Sequence, residues 1–298
     1  MTDVLSILTS EYAIHLAILA SLYIILAQSL NLTLGLGQLF NLAHVASYAV
    51  GSYATALLAT EMGASFGICL LASMLTSGFF AFALGGIALR LSSDYFAIGT
   101  IAFSSLVSAL LINWKSLTHG VLGIPGIPRP ELLGFDFYQN HNFLGLILIF
   151  AIFIQAVFFF LQKSWFGRSL RALAEYEEAA VALGKNSSLL RIIAFFFSSV
   201  AAGLAGGFFA YYLNYIDPSS FSLGEMIFVL TIVIVGRPGS FWGVIGAAIF
   251  LVLLPEPLRF LDIPSAYLGP VRQLIHAIIL FAVIWYKRDN LFPEQRQV

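Results

Sequence analysis

Charge is what this chain has least of. Asp, Glu, Lys and Arg make up 10% of its 298 residues, where a soluble domain carries roughly 25%. Hydrophobic residues reach 60%, with 28 phenylalanines, and mean hydropathy is +0.93. A water-soluble globule is excluded, and a polytopic membrane protein is expected. Cysteine is nearly absent too. The single Cys69, in FGICLLASM, rules out an intrachain disulfide and a cysteine metal cluster. The five histidines, His15, His44, His119, His141 and His276, are scattered, with no HExxH and no metal-ligand spacing. GxSxG and the GxxxxGK[ST] phosphate loop are both missing. No catalytic residue, metal or bound cofactor is therefore expected, and any ATP used must be hydrolysed by another chain. The apolar runs carry no carboxylate pair or line of protonatable groups, which argues against an ion-driven carrier. No basic segment precedes the first run, so no cleavable signal peptide is expected. The net charge of −1 says nothing of partners, and no nucleic-acid partner is expected.

What is present is a series of apolar runs, each compared with the ~20 residues a span needs. They fall near Tyr12–Leu34, Val45–Ala59, Phe66–Leu89, Tyr95–Trp114, Asn142–Leu161, Ile192–Leu213, Leu223–Val235, Phe241–Leu254 and Val271–Tyr286. The expected fold is an all-α polytopic membrane protein of about 8–10 transmembrane helices, a single membrane domain over 1–298. A polar loop at about 163–191 and a Pro- and Gly-rich loop at about 115–141 interrupt it.

Basic residues orient it. With the polar loop in the cytoplasm, Arg90, Lys163, Arg168, Arg171, Lys185, Arg191, Arg237, Lys287, Arg288 and Arg296 fall inside. Lys115, Arg129, Arg259 and Arg272 fall outside, a bias of ten against four. The N-terminus, with Asp3 and Glu11, then lies outside and the C-terminus inside. The GIPGIPRP loop then lies outside, as a rigid cap or equally as a contact for a binding protein.

Two segments are broken by glycine. One is Asn31–Gln38 (NLTLGLGQ), running on to Asn41 and His44; the other is Gly236–Gly243 (GRPGSFWG). Such interruptions early and late in a chain point to broken helices of the kind found in transporter repeats. Gln38, Asn41 and His44 are spaced by three, which would stack them on one helical face. With Thr100 and Ser104 they are the candidate lining of a substrate path, weighed evenly against a satisfied interhelical network. Gly203 with Gly207, and Gly239 with Gly243, make GxxxG pairs expected to be helix-packing seams.

The most polar stretch is SWFGRSLRALAEYEEAAVALGKNSSLLR, Ser164–Arg191. Its spacing predicts a short amphipathic helix, with Leu170, Leu173, Ala174 and Glu177 near one side. Arg171 and Glu175 are four apart and able to pair. Ala179 and Ala180 would give a thin side able to enter a partner's groove, and Gly184 permits the left-handed turn that ends a helix. Asn186, Ser187 and Ser188 offer the cap of the next helix. By itself the segment fits a docking element or a solvated loop helix.

Over about Asn31–Arg259 the chain resembles the permease subunits of bacterial branched-chain amino acid ABC importers, of the LivH/LivM type. The resemblance rests on NLTLGLGQLFNLAH, LRLSSDYFAIGTIAFS, LTHGVLGIPGIPRP, the GRSLRALAEYEEAAVALGKNSSLLRIIAF loop and YYLNYIDPSSFSLGEMIFVLTIVIVGRPGSFWGVIGAA. The second and third of these are LivM-like. It implies that Glu178, Ala179, Ala180 and Gly184, with Arg171 and Glu175 beside them, occupy the helix where a permease meets its ATPase. It also implies ATPase subunits, a second permease chain (different or identical), an extracytoplasmic solute-binding protein, surrounding lipid, and a place in the bacterial inner membrane. The chain departs from the pattern in three places. Gly236-Arg237 replaces a Gly pair, no Ile-x-Leu-Pro follows Gly184, and FNLAH is LivH-like. Branched-chain or other amino acids are the expected cargo. Urea and short amides, carried within the same family, remain alternatives, as does a stand-alone carrier or channel.

Overall fold

The structure, a computed structural model, describes residues 11–88, 93–132, 135–256 and 265–291. Among them every one of the nine apolar runs is helical: α1 (Glu11–Leu30), α2 (His44–Glu61), α3 (Phe66–Ala88), α4 (Ser93–Asn113), α6 (Asn140–Lys163), α9 (Ser187–Leu213), α10 (Leu223–Val235), α11 (Phe241–Leu253) and α12 (Ser265–Leu291). One turn, α5 (Lys115–Thr118), follows α4, and the polar loop holds α7 (Trp165–Glu175) and α8 (Glu177–Ala182). Among the described residues six helices are long and apolar enough to cross a membrane; α10 and α11 are apolar but shorter. This is an all-α polytopic membrane architecture. Arg90, Arg259 and Arg296 lie outside the described residues.

The core is built on α9, which packs against both α2 and α3. Small residues make that possible. A Cβ on Gly51 would stand 2.4 Å from the Cα of Gly203, and one on Gly203 would also meet Ser77 Oγ at 2.3 Å. Gly207 faces Thr55 and Leu70. Backbones this close gain dispersion contacts, the main source of helix affinity in lipid. Hydroxyls stitch the seam: Ser52 Oγ donates to Gly206 O at 2.9 Å, and Ser77 Oγ to Ser47 O at 2.8 Å. α1 lies on the other side of α9 and contacts α6, α10 and α11.

The pair Gly239 and Gly243 does not form such a seam. Gly239 is outside any helix, with φ +80, and Gly243 faces Gly236 across the tight turn between α10 and α11. Gly246, one turn further along α11, meets nothing within 4 Å.

At the end away from the polar loop, residues 115–141 are tied down. β1 (Ile124–Pro125) pairs with β4 (Tyr215–Ile216), directly after α9. A hairpin of β2 (Glu131–Leu132) and β3 (Phe135–Asp136) follows β1. Arg129 donates to Tyr138 O at 2.8 Å, Asn140 Oδ1 at 2.9 Å and Tyr212 O at 3.0 Å, and its guanidinium lies over Phe143 and Tyr212. Asn140 in turn donates to Glu11. The start of α1 and this loop therefore share one end of the bundle.

Candidate functional sites

The two glycine-broken segments, distant in sequence, meet. α1 ends in a π-helical turn, Asn31–Leu36, in which one extra residue per turn displaces the side chains. Asn31 Oδ1 accepts from Gly239 N at 2.7 Å, and Asn31 Nδ2 donates to Gln28 Oε1 at 3.0 Å and toward Ser240 O at 3.4 Å. A Cβ on Gly35 would stand 2.3 Å from Gly239 N, so only glycine fits there. Two non-glycine residues adopt left-handed backbone at this junction: Gln38 (φ 51) and Arg237 (φ 69). Such a conformation costs roughly 1–2 kcal/mol for an ordinary residue. Arg237 thus holds, under strain, a backbone shape that glycine takes freely.

α7 lies beside this junction. Leu170 packs its Cδ1 3.5 Å from where a Cβ of Gly37 would be. Arg171, Ala174 and Glu175 line a cavity of about 340 Å³ shared with Gln38, Arg237 and Ser240. Ser164 caps α7 by accepting from Gly167 N.

The polar loop is two helices rather than one. Tyr176, extended at φ −151, breaks the run, and α8 starts again at Glu177. The pair folds as a V closed by Leu173, Ala180 and Leu190 with Phe166, and by Lys185 Nζ 4.4 Å from the ring of Trp165. Ala180 is buried in that closure and Ala179 is exposed, so the two alanines do not form a shared thin side. The outward face presents Tyr176, Glu178, Ala179, Val181 and Leu183, the last 81% exposed. α8 ends in a Schellman turn: Lys185 N donates to Ala180 O at 3.1 Å and Gly184 N to Val181 O at 2.9 Å, with Gly184 at φ +80. Asn186 then caps α9, accepting from Leu189 N at 2.9 Å.

Glu177 is the residue that ties this V to the core helix. It accepts from Ser187 Oγ at 2.6 Å and pairs with Arg191 at 2.7 Å. The Ser187 hydrogen bond holds its carboxyl below the usual range, with Arg191 adding to it against a partial burial that opposes it. Among the described residues this is the ion pair of the loop; Arg171 and Glu175, though four apart, are not joined.

A second cavity, of about 680 Å³, lies at the opposite end of the same helices, between the starts of α1, α10 and α12 and the end of α11. Polar groups converge on it. Tyr23 donates to Glu225 Oε1 at 2.7 Å, and Tyr12 donates to Glu256. Phe228 meets Tyr23 edge to face and lies tilted against His276. The Nε of Arg272 and the Nε2 of His276 are buried with no hydrogen-bond partner among the described residues.

A family model described as "Branched-chain amino acid transport system / permease component" matches residues 12–284. The chain belongs to that family. This permease is 35% identical to the high-affinity branched-chain amino acid permease LivM of Escherichia coli and 34% to that of Salmonella typhimurium, each over 97% of its own length and 72% of the relative's. It is 26% identical to the guanosine ABC transporter permease NupQ of Bacillus subtilis, over 74% of its length and 75% of that protein's. No solved structure matches it. It is a multi-pass ABC transporter permease, of a family of transport components.

The residues read from spacing as a path lining are not brought together in this permease. The helix they would share ends at Leu36, so Gln38, Asn41 and His44 do not stack on one face. Gln38 is exposed in the smaller cavity, and Asn41 is buried, its Oδ1 accepting from Ala43 N at 3.1 Å. His44 opens α2, fully buried among Ser29, Leu26 O and Ser198, which ties α1, α2 and α9. Thr100 donates to Ala97 O and accepts from Leu42 N at 3.1 Å, anchoring the loop before α2; Ser104 is half-buried one turn on. Sequence reasoning missed Glu225 and Glu256, which stand at the ends of two short helices and become a carboxylate pair around one cavity only when α10 and α11 pack on α1. It missed Glu177 for the same reason, because its partner Arg191 belongs to the next helix.

Proposed function

We propose that this chain is the membrane-spanning subunit of an ATP-driven importer of branched-chain or related amino acids, working by alternating access. ATPase subunits dock on the exposed face of α7–α8, with Glu178, Ala179 and Gly184 at the contact and Arg171 and Glu175 behind it. A second permease chain completes the pathway, and a solute-binding protein delivers cargo at the opposite end, near the capping loop 115–141. The N-terminus is then outside and the C-terminus inside the cytoplasmic membrane.

The observation that carries this reading is the position of the V. It presents exposed apolar side chains at an otherwise polar end. At the same time it is fastened to the core helix α9 through Glu177 and abuts the junction of the broken α1 and the α10–α11 turn. Force applied there has two routes into the spans, one through the Glu177–Arg191 pair to α9 and one through the left-handed junction at Gln38 and Arg237. The identity to LivM relatives supports an amino-acid cargo. NupQ and LsrC relatives, named for guanosine and autoinducer 2 import, make cargo the finer question.

The test is uptake of radiolabelled leucine into proteoliposomes holding this chain with its co-purifying subunits and binding protein. ATP-dependent accumulation supports the importer. Equal uptake without ATP overturns it in favour of a stand-alone carrier. ATP-dependent uptake of guanosine or urea in place of leucine keeps the importer and replaces the cargo.

A further inference from the structure

The larger cavity holds opposite charges that do not satisfy one another. Glu225 and Glu256 line it from the start of α10 and the end of α11, and Arg272 lines it from α12. Yet among the described residues no ion pair joins them, and each carboxylate is held by a tyrosine hydroxyl instead. From α12, Arg272 and His276, four residues apart, each keep a buried guanidinium or ring nitrogen with no hydrogen-bond partner among the described residues. Unpaired buried polar nitrogens are costly, and a polar group entering the cavity would satisfy them. The rest of the lining includes the apolar Leu16, Leu19, Ile227 and Val252. The volume, about 680 Å³, lies within the roughly 300–1,000 Å³ of small-ligand sites.

We propose that the cavity between α1, α10, α11 and α12 binds a zwitterionic amino acid, with its ammonium toward Glu225 and its carboxylate toward Arg272. The aliphatic side chain lies on the Leu16–Ile227 wall, beside the Phe228 ring. The charge pattern selects for a ligand that carries both signs: an amine alone leaves Arg272 unpaired, and an acid alone leaves Glu225 unpaired. A nucleoside or a neutral amide would satisfy neither. The same α1, α10 and α11 run from this cavity to the junction beside α7, so a change at the V reaches the ligand groups along continuous helices. This inference rests on the amino-acid importer reading and assigns its binding residues.

The experiment is equilibrium binding of radiolabelled leucine to the purified, ATP-free complex, with 4-methylpentanoate (no ammonium) and isoamylamine (no carboxylate) as competitors. In the wild type each analogue should compete at least about tenfold more weakly than leucine, as expected for loss of one charge-assisted contact. Glu225→Gln should abolish the preference for leucine over 4-methylpentanoate while keeping that over isoamylamine. Arg272→Gln should do the reverse. Misfolding cannot produce that crossed pattern, and Ile227→Trp supplies a further check by excluding leucine more than alanine. Wild-type discrimination in both charge variants overturns the site while leaving an amino-acid importer intact. A complex that neither binds nor transports leucine, and transports another cargo, fails the importer's substrate reading and the site together.

Discussion

At the scale of single residues, the junction of broken segments depends on Asn31, whose Oδ1 is the acceptor for the backbone of Gly239. Asn31→Ala leaves that N–H without a partner and should cost about 1–3 kcal/mol, read as a lowered unfolding temperature in detergent; an unchanged midpoint would contradict the assignment. Arg237 pulls the other way. Its left-handed backbone means that Arg237→Gly should raise stability, by roughly 1 kcal/mol, even though a charge is lost. On the core seam, Gly203→Val places methyl groups where Gly51 and Ser77 already stand, and overpacking of about 1–3 kcal/mol is expected. Glu177 gives a pH dependence with a definite sign. Its folded carboxyl titrates below the usual range, so its link to Ser187 and Arg191 is fully present above that range. The link is lost as pH falls through the depressed value. A spin label at Ala179 should stay equally restrained from neutral pH down to the ordinary carboxylate range and loosen only below it. Glu177→Gln should be loose throughout. The group is exposed, so the effect is local rather than a large term in global stability.

At the scale of elements, the α7–α8 V depends on its closing turn. Gly184→Pro cannot reach φ +80 and deletes the N–H that donates to Val181 O. Uptake should therefore be lost with membrane insertion intact, whereas Gly184→Ala should cost only about 1 kcal/mol and keep most of the transport. Retained uptake in Gly184→Pro would remove the V from the coupling role. Much of this was legible beforehand. The apolar runs read directly as helices because lipid leaves the backbone little alternative, and Gly184 read as a terminator because its conformation is a local property. The break at Tyr176 was not legible, since no proline or glycine marks it and the segment's propensity is helical throughout. Ala180 and Glu177 were misplaced for the same reason: their surroundings are Leu190 and Arg191, from a helix that sequence spacing does not bring near. Gln38, Asn41 and His44 looked like a helical stripe only because the spacing rule assumes a helix that the π-turn and its following loop end.

At the scale of the whole molecule, two sites occupy opposite ends of α1, α10 and α11: a charged cavity at one and a strained junction against the α7–α8 V at the other. In the proposed importer such a layout makes the spans a lever between ATPase and cargo, and it places the carboxylates at helix ends, where a search for mid-span charges does not find them. The claim on which the rest stands is that the V receives the ATPase. The most direct measurement is affinity purification of the tagged chain from solubilised native membranes, for the wild type and Glu178→Arg, with mass spectrometry of the co-purifying proteins. The expected result is a P-loop ATPase recovered with the wild type and depleted with Glu178→Arg, while the chain itself is inserted and recovered equally in both. Recovery of the ATPase undiminished in Glu178→Arg, or of a chain that transports alone without any ATPase, would contradict it.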